Sequence, residues 1–256
     1  MITAMPRIAI AVNDFEQALT TFRDEMGMHV QDFSAETVPS LGAHVGMCQP
    51  DGGSNIELMA PSNPDEPLSQ ALQKFLDRRG EGIYAMMLES PDPNAEAATL
   101  LESGPKALPL MRGAGGRDIH PSSTHGVLIR IYPDNSVTQP KDPVSAAPHY
   151  TGIQKVVIAT HDATLARKVY SEGLGLDADP PQIDSSAGVL RCVIRPAKGG
   201  VIELVSPIDG SQGPARELES VLVSKGEGIF ALELAANEEV SQRDFEIFGT
   251  RFWISE

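Results

Sequence analysis

Basic residues are scarce in this chain: 20 Lys and Arg stand against 35 Asp and Glu, a formal charge of −15 over 256 residues. Without a basic face, neither nucleic acid nor an anionic membrane surface is an expected partner. An anionic small molecule would need a local cluster of Arg or Lys set against the general field. Cysteine is scarcer still. Cys48 and Cys192 sit in apolar strand-like runs at non-equivalent places and read as buried free thiols, not a bridge. No apolar run approaches the ~20 residues that cross a bilayer. The N-terminal Met1-Ile2-Thr3-Ala4-Met5-Pro6 lacks the charged start and apolar stretch of a signal peptide, so a cytoplasmic location is the expectation.

What the chain has is itself, twice. Gly80-Glu81-Gly82-Ile83 returns 146 residues later as Gly226-Glu227-Gly228-Ile229. At the same offset Ile56-Glu57-Leu58 returns as Ile202-Glu203-Leu204, and at 148 residues Arg7-Ile8-Ala9-Ile10-Ala11 returns as Lys155-Val156-Val157-Ile158-Ala159. Fold and function are therefore read per repeat.

Residues 7–12 alternate like a strand and end at Asn13-Asp14, a helix N-cap. Phe15, Ala18, Leu19, Phe22 and Met26 follow at helical spacing, with Gly27 as the stop. Segments 28–33, 43–48 and 55–59 read as strands, the last two joined at Pro50-Asp51-Gly52-Gly53, which completes a βαβββ unit. A connector helix over 68–76 leads to a second unit: a strand from 82, a helix over 94–102, and strands near 107–111, 117–120 and 126–132. The Pro- and Ser-rich stretch from Pro133 to Pro148 has no periodicity and reads as a linker. After Leu234 about 23 residues are missing by the first repeat's measure. Room is left for one short helix and one strand, so the fourth unit should be truncated, with an edge for the first domain or a second copy in a homodimer to cover.

The expected fold class is α+β, with tandem βαβββ units forming cupped, barrel-like mixed sheets. The expected domains are 5–133 and 151–256, joined by a linker over 134–150.

These tandem units, the Gly-Glu-Gly-Ile phrase, Glu57-Leu58-Met59-Ala60-Pro61, and His120-Pro121-Ser122-Ser123 leading to Gly126-Val127-Leu128-Ile129 together resemble the vicinal oxygen chelate superfamily, its methylmalonyl-CoA epimerase-like branch most of all. The resemblance implies two units curled into a cup with a divalent metal on four strand side chains. The matching positions are Arg7, Glu57, Ala85 and Arg130, and in the second repeat Lys155, Glu203 and Ala231, the fourth being lost with a missing strand. Arg has no lone pair to give and Lys is protonated at neutral pH, so no metal and no other cofactor is expected. Arg7 with Glu57, and Lys155 with Glu203, are expected as ion pairs in its place, or as strand-end charges in water.

His44 lies near where the resembling epimerases place a proton-abstracting carboxylate, and could serve as general base with Arg130 or Arg7 as oxyanion partner. Tyr84, Arg112, Arg117 and His125 are the candidate substrate-binding residues, beside a glycine-rich stretch, Gly113-Ala114-Gly115-Gly116. Expected functions are metal-independent proton abstraction on a small carbonyl or acyl-thioester compound, by an isomerase or lyase, or sequestration of a small molecule without turnover.

Overall fold

A computed structural model describes residues 1–34, 42–102, 116–136, 150–211, 213–236 and 243–255. The first half runs β1 (Ala4–Ala11), α1 (Phe15–Thr20), β2 (Val30–Asp32), β3 (Ala43–Cys48), β4 (Asn55–Pro61), the connector α2 (Pro67–Arg79), β5 (Gly82–Ser90), α3 (Pro93–Glu102), β6 (Arg117–Ile119) and β7 (Ile129–Pro133). Its sheet has the order β2-β3-β4-β1-β5-β7-β6. The second half repeats it with β8 (Tyr150–Ala159), α4 (Ala163–Lys168), β9 (Asp177–Ala178), β10 (Gln182–Asp184), β11 (Val189–Arg195), β12 (Val201–Pro207), α5 (Gly213–Lys225), β13 (Gly228–Ala236), β14 (Asp244–Ile247) and β15 (Thr250–Ser255). There the order is β10-β11-β12-β8-β13-β15-β14, with β9 beside β11. The class is α+β as expected, in two curled open sheets, not closed barrels. No described helix is long and apolar enough to cross a membrane.

Equivalent strands keep equivalent register. Ala9 pairs with Glu57 across β1 and β4, and Val157 with Glu203 across β8 and β12, both parallel. The helix starts also repeat: the Asp14 carboxylate accepts from the Gln17 amide, and Asp162 accepts from the amides of Thr164 and Leu165. The last unit differs from expectation. Among the described residues after β13 it contributes two strands, β14 and β15, where a short helix and a strand were expected, and β15 runs parallel to β13 as β7 does to β5. The proposed strand near 107–111 lies outside the described residues.

Each sheet has two unlike faces because side chains alternate along a strand. One face of both sheets enters a single apolar core, shared by Ile8, Ile10 and Phe22 of the first half with Tyr170, Phe252 and Ile254 of the second. Phe22 stacks on Phe248 and meets Phe252 edge-on, so α1 and the turn after it pack on the last strand of the other half. On the opposite face each sheet forms a cup, closed at one end by the connector helix. Leu68, Leu72 and Leu76 of α2 lie over Ala9, Ala11 and Met87, and Ala215, Leu218 and Leu222 of α5 over Val157, Ala159 and Ala231.

The repeated Gly-Glu-Gly phrase serves this architecture. The Glu81 carboxylate accepts from the Asn13 amide at 2.7 Å, and Glu227 from the His161 amide at 2.8 Å, tying each second unit to the turn after the half's first strand. The same backbone is clasped by the other half. A Cβ on Gly126 (φ +80) would stand 1.8 Å from the Glu227 carbonyl, and one on Gly249 (φ +62) 2.0 Å from that of Glu81. No side chain fits at either place. Both cysteines are free and buried, as expected, and burial pushes the Cys48 thiol far above its ordinary range.

Candidate active site and its surroundings

Strand alternation sends Arg7, Glu57, Ala85, Met87 and Arg130 into the first cup. At the turn of β5 the register slips: Ile10 pairs with Ile83 but Ala9 with Ala85, leaving Tyr84 as the extra residue of a β-bulge. Phe230 is the extra residue at the equivalent place in β13. The bulge lets Tyr84 join the cup face beside Ala85, where it meets Phe75 of α2 edge-on at 5.4 Å. Burial raises the Tyr84 hydroxyl pKa, against the pull of the Arg130 charge.

The floor of this cup is a closed set of charges. Arg7 Nε donates to Glu57 Oε2 at 3.0 Å, and its NH1 to Ser136 Oγ at 2.8 Å. Ser136 in turn donates from its amide and hydroxyl to Glu89 Oε1, at 2.7 and 2.6 Å. The Arg7 guanidinium lies 4.8 Å over the Tyr132 ring. Arg130 binds Asp118 through two parallel bonds of 2.5 and 2.7 Å, a fork that suits guanidinium to carboxylate. Burial works against the Arg130 charge, but the bonds to Asp118 and the neighbouring Tyr132 hold its pKa above the usual arginine value.

The second cup spreads its charges differently. Lys155 pairs with Glu233 at 3.0 Å, not with Glu203, which is bound by Arg191 at 3.1 Å. Arg191 also holds Asp184. Trp253 stands opposite Glu233, just as Arg130 stands opposite Met87, so the fourth position is filled by an aromatic ring and not lost. Arg251 lies 5.2 Å from both the Phe230 and Trp253 rings.

Neither donor set fits a divalent ion. The four matching positions of the first cup offer one carboxylate, Glu57, already bound by Arg7, among two guanidiniums and a methyl group, and an arginine has no lone pair to give. Among the described residues no group of three or more His, Cys, Asp or Glu side chains is placed to hold one.

Of the residues singled out in sequence, Arg7, Glu57, Arg130 and Tyr84 converge in the first cup. His44 does not. Ala43 and Val45 take the cup face of β3, while His44 points the other way, exposed and stacked on Phe15 of α1 at 5.3 Å. As the base of the cup it is therefore corrected: a one-residue difference in register puts a strand residue on the opposite face. Arg117 lies opposite Ile131 in register and shares its face, away from the cup. His125 sits at the junction of the halves, with Nδ1 3.0 Å from Glu227 Oε2. Arg112 lies outside the described residues.

One open space lies at the mouth of the first cup. A cavity of about 340 Å³ there is walled by Phe75, Tyr84 and Leu128 and carries Lys74, Arg78 and Arg79 from the end of α2, with no carboxylate among its described lining residues. A second cavity of about 660 Å³ adjoins it, sharing Arg79, Pro121 and Gly126, and adds His125, His161 and Lys225 from the corner between the halves. Sequence reading passed over these cations because Arg78-Arg79 ends a helix whose C-terminal dipole already favours positive charge. Asp118 was missed as well, though it lies on the same face of β6 as Arg130 on β7.

Comparison with known proteins gives the scaffold its kin. Residues 7–120 match the model of the glyoxalase/bleomycin resistance protein/dioxygenase superfamily. A stretch of 129 residues, 48% of this chain and 69% of the relative, is 27% identical to mouse methylmalonyl-CoA epimerase, a mitochondrial protein. Among solved structures, a mutant of 4-hydroxymandelate synthase from Streptomyces coelicolor overlays 93% of this chain with 72% of its own, at a TM-score of 0.66 and 14% identity. Methylmalonyl-CoA epimerase from Streptomyces coelicolor covers 53% of this chain with 99% of its own, at 26% identity and a TM-score of 0.45.

Proposed function

We infer that this protein, whose residues 7–120 match the model of the glyoxalase/bleomycin resistance protein/dioxygenase superfamily, binds an anionic acyl compound, of the acyl-thioester class, at the mouth of its first cup and acts on it as an isomerase without a metal. The observation that carries the reading is the cavity between α2 and β5. In a chain of net charge −15, three cations meet there over an apolar and aromatic wall. That is the local inversion of field that an anionic ligand requires. The mouse epimerase relative supports the acyl-thioester class. The buried Arg7–Glu57 and Arg130–Asp118 pairs support the absence of a metal, since they fill the positions that would have to donate to it.

A second reading, binding without turnover, is favoured by His44: the base expected in the cup faces away from it. Calorimetric titration with methylmalonyl-CoA and propionyl-CoA tests the shared first step. Binding tighter than ~1 mM is expected, weakened about tenfold or more by replacing Arg78 and Arg79 together with Gln. No heat of binding to either thioester, or binding indifferent to those two charges, would reject the cavity as the ligand site. Exchange of the thioester α-proton with solvent separates the isomerase from the binder.

A further inference from the structure

We propose that the proton acceptor of this protein lies outside the cup, at the corner between the two halves, where His125 and Glu227 form an oriented base facing the cavity that adjoins the cup mouth. The inference rests on the reading that an acyl thioester binds at that mouth, and names the residue that would act on it.

Three observations meet at this corner. His125 Nδ1 lies 3.0 Å from Glu227 Oε2, across 102 residues of chain. The other oxygen of Glu227 is fixed by the His161 amide at 2.8 Å, so the carboxylate cannot turn away. A carboxylate only accepts, so Nδ1 is the nitrogen that donates to it, and in the neutral ring Nε2 keeps its lone pair, the arrangement of a base oriented by a third group. His125 lines the 660 Å³ cavity together with the cations Arg79 and Lys225, and Arg79 also lines the cup mouth.

The alternative is that the pair merely straps the halves together. The pseudo-equivalent corner argues against it. There Phe248 (φ +47) precedes Gly249 as His125 precedes Gly126, and an apolar ring stacked on Phe22 completes the same clasp on Glu81. Joining the halves does not demand a histidine.

The chemistry is a proton transfer. The C–H bond next to the thioester carbonyl breaks, its electron pair moves to the carbonyl oxygen as an enolate facing Arg79 or Lys225, and the proton forms a bond to His125 Nε2. The resulting imidazolium is held against Glu227, and return of the proton to carbon restores the neutral ring.

Two measurements decide it. Long-range ¹⁵N correlation spectra of the full chain at about pH 8 should show His125 as the neutral Nδ1–H form. A ring protonated on Nε2 overturns the proposal with no ligand needed. In D₂O, the α-proton of bound propionyl-CoA should exchange, and both His125→Asn, which tolerates the left-handed backbone, and His125→Phe, which copies the other corner, should slow exchange by about 100-fold or more. Thioester binding in these variants should stay within about threefold. Binding without exchange in the parent protein, or exchange unchanged in both variants, overturns the proposal while leaving the cup-mouth reading intact. Absence of binding defeats that reading instead, and the tautomer then decides alone whether the corner holds an oriented base.

Discussion

The two cups share strand order, register and bulge, yet they sink their charges to different depths. In the first, the side chains of Arg7, Glu57, Asp118 and Arg130 are all less than a tenth exposed. In the second, Lys155 is 27% and Arg191 34% exposed. The first cup has a bidentate Arg130–Asp118 fork in its second unit, whereas the second has Trp253 opposite Glu233. A duplicated scaffold has thus kept its hydrogen-bonded frame in both copies, while only the first copy buries both partners of its ion pairs. Buried pairs stabilise little in net terms, because desolvation cancels much of their attraction, but losing one partner is severe. Exposed pairs contribute little either way.

The comparison can be broken most directly at Asp118. Replacing it with Ala strands the Arg130 guanidinium in the core, and a loss of about 3–5 kcal/mol in urea unfolding is expected. A loss under about 1 kcal/mol would mean that water reaches Arg130. At Arg7 and Glu57, either single change to Met or Leu should destabilise by about 2–4 kcal/mol. The double change Arg7→Met with Glu57→Leu should recover most of it, since a pair removed together leaves no uncompensated charge. Failure to recover would show that Ser136 and Tyr132 depend on the charge of Arg7.

The clasp between halves offers a contrast of intermediate size. Gly126→Ala forces a methyl onto the Glu227 carbonyl, whereas at Gly226 (φ +78) an added Cβ meets nothing within 4 Å. The first should lower the melting temperature by more than 8 °C, and the second by only the few degrees that left-handed strain near 1 kcal/mol produces in a chain of this size. In the second cup, Glu233→Gln should shift stability by less than about 1 kcal/mol, because Lys155 keeps its access to water.

The smallest effect is one of pH. Hydrogen bonds from Ser186 and the Ala187 amide, with Arg191 beside them, lower the Asp184 carboxyl from its ordinary 3.8 to about 2. A carboxylate held low in the folded state lends stability above its unfolded pKa and loses it as pH falls through the folded one. Its NMR titration should therefore have a midpoint near 2, with the contribution intact above pH 4 and fading toward 2. A midpoint at the ordinary value would mean that the bonds from Ser186 and the Ala187 amide do not hold in solution.

How much of this was legible beforehand depends on what each signal measures. The repeat offsets carried the strand order and the helix caps, because Ile56-Glu57-Leu58 and Asp14 occupy positions where backbone pairing itself repeats. Arg7 with Glu57 was legible for the same reason. His44 was not, since the face of a strand residue turns on a single position of register that sequence cannot hold to within one. Lys155 was given the wrong carboxylate because Glu203 and Glu233 both flank it in the sheet, and Arg191, one strand further, took the first. The tie between His125 and Glu227 was beyond reach, being made by a fold that brings the two halves together. Tyr84 and Phe230 could be matched to each other, but the bulge that turns them toward the cups is a property of pairing with β1 and β8.

The reciprocal clasp around the two Gly-Glu-Gly turns, with Phe22 seated on Phe252, also decides how the chain can come apart. Duplication commonly yields modules that melt separately and can be cut loose at the join. Here each copy contributes wall to the other's interior, so a fragment ending before residue 137 would carry Phe22 and Ile10 into water. The molecule should unfold as one cooperative unit, in a single transition with coincident probes, and neither copy should fold until its twin has been synthesised.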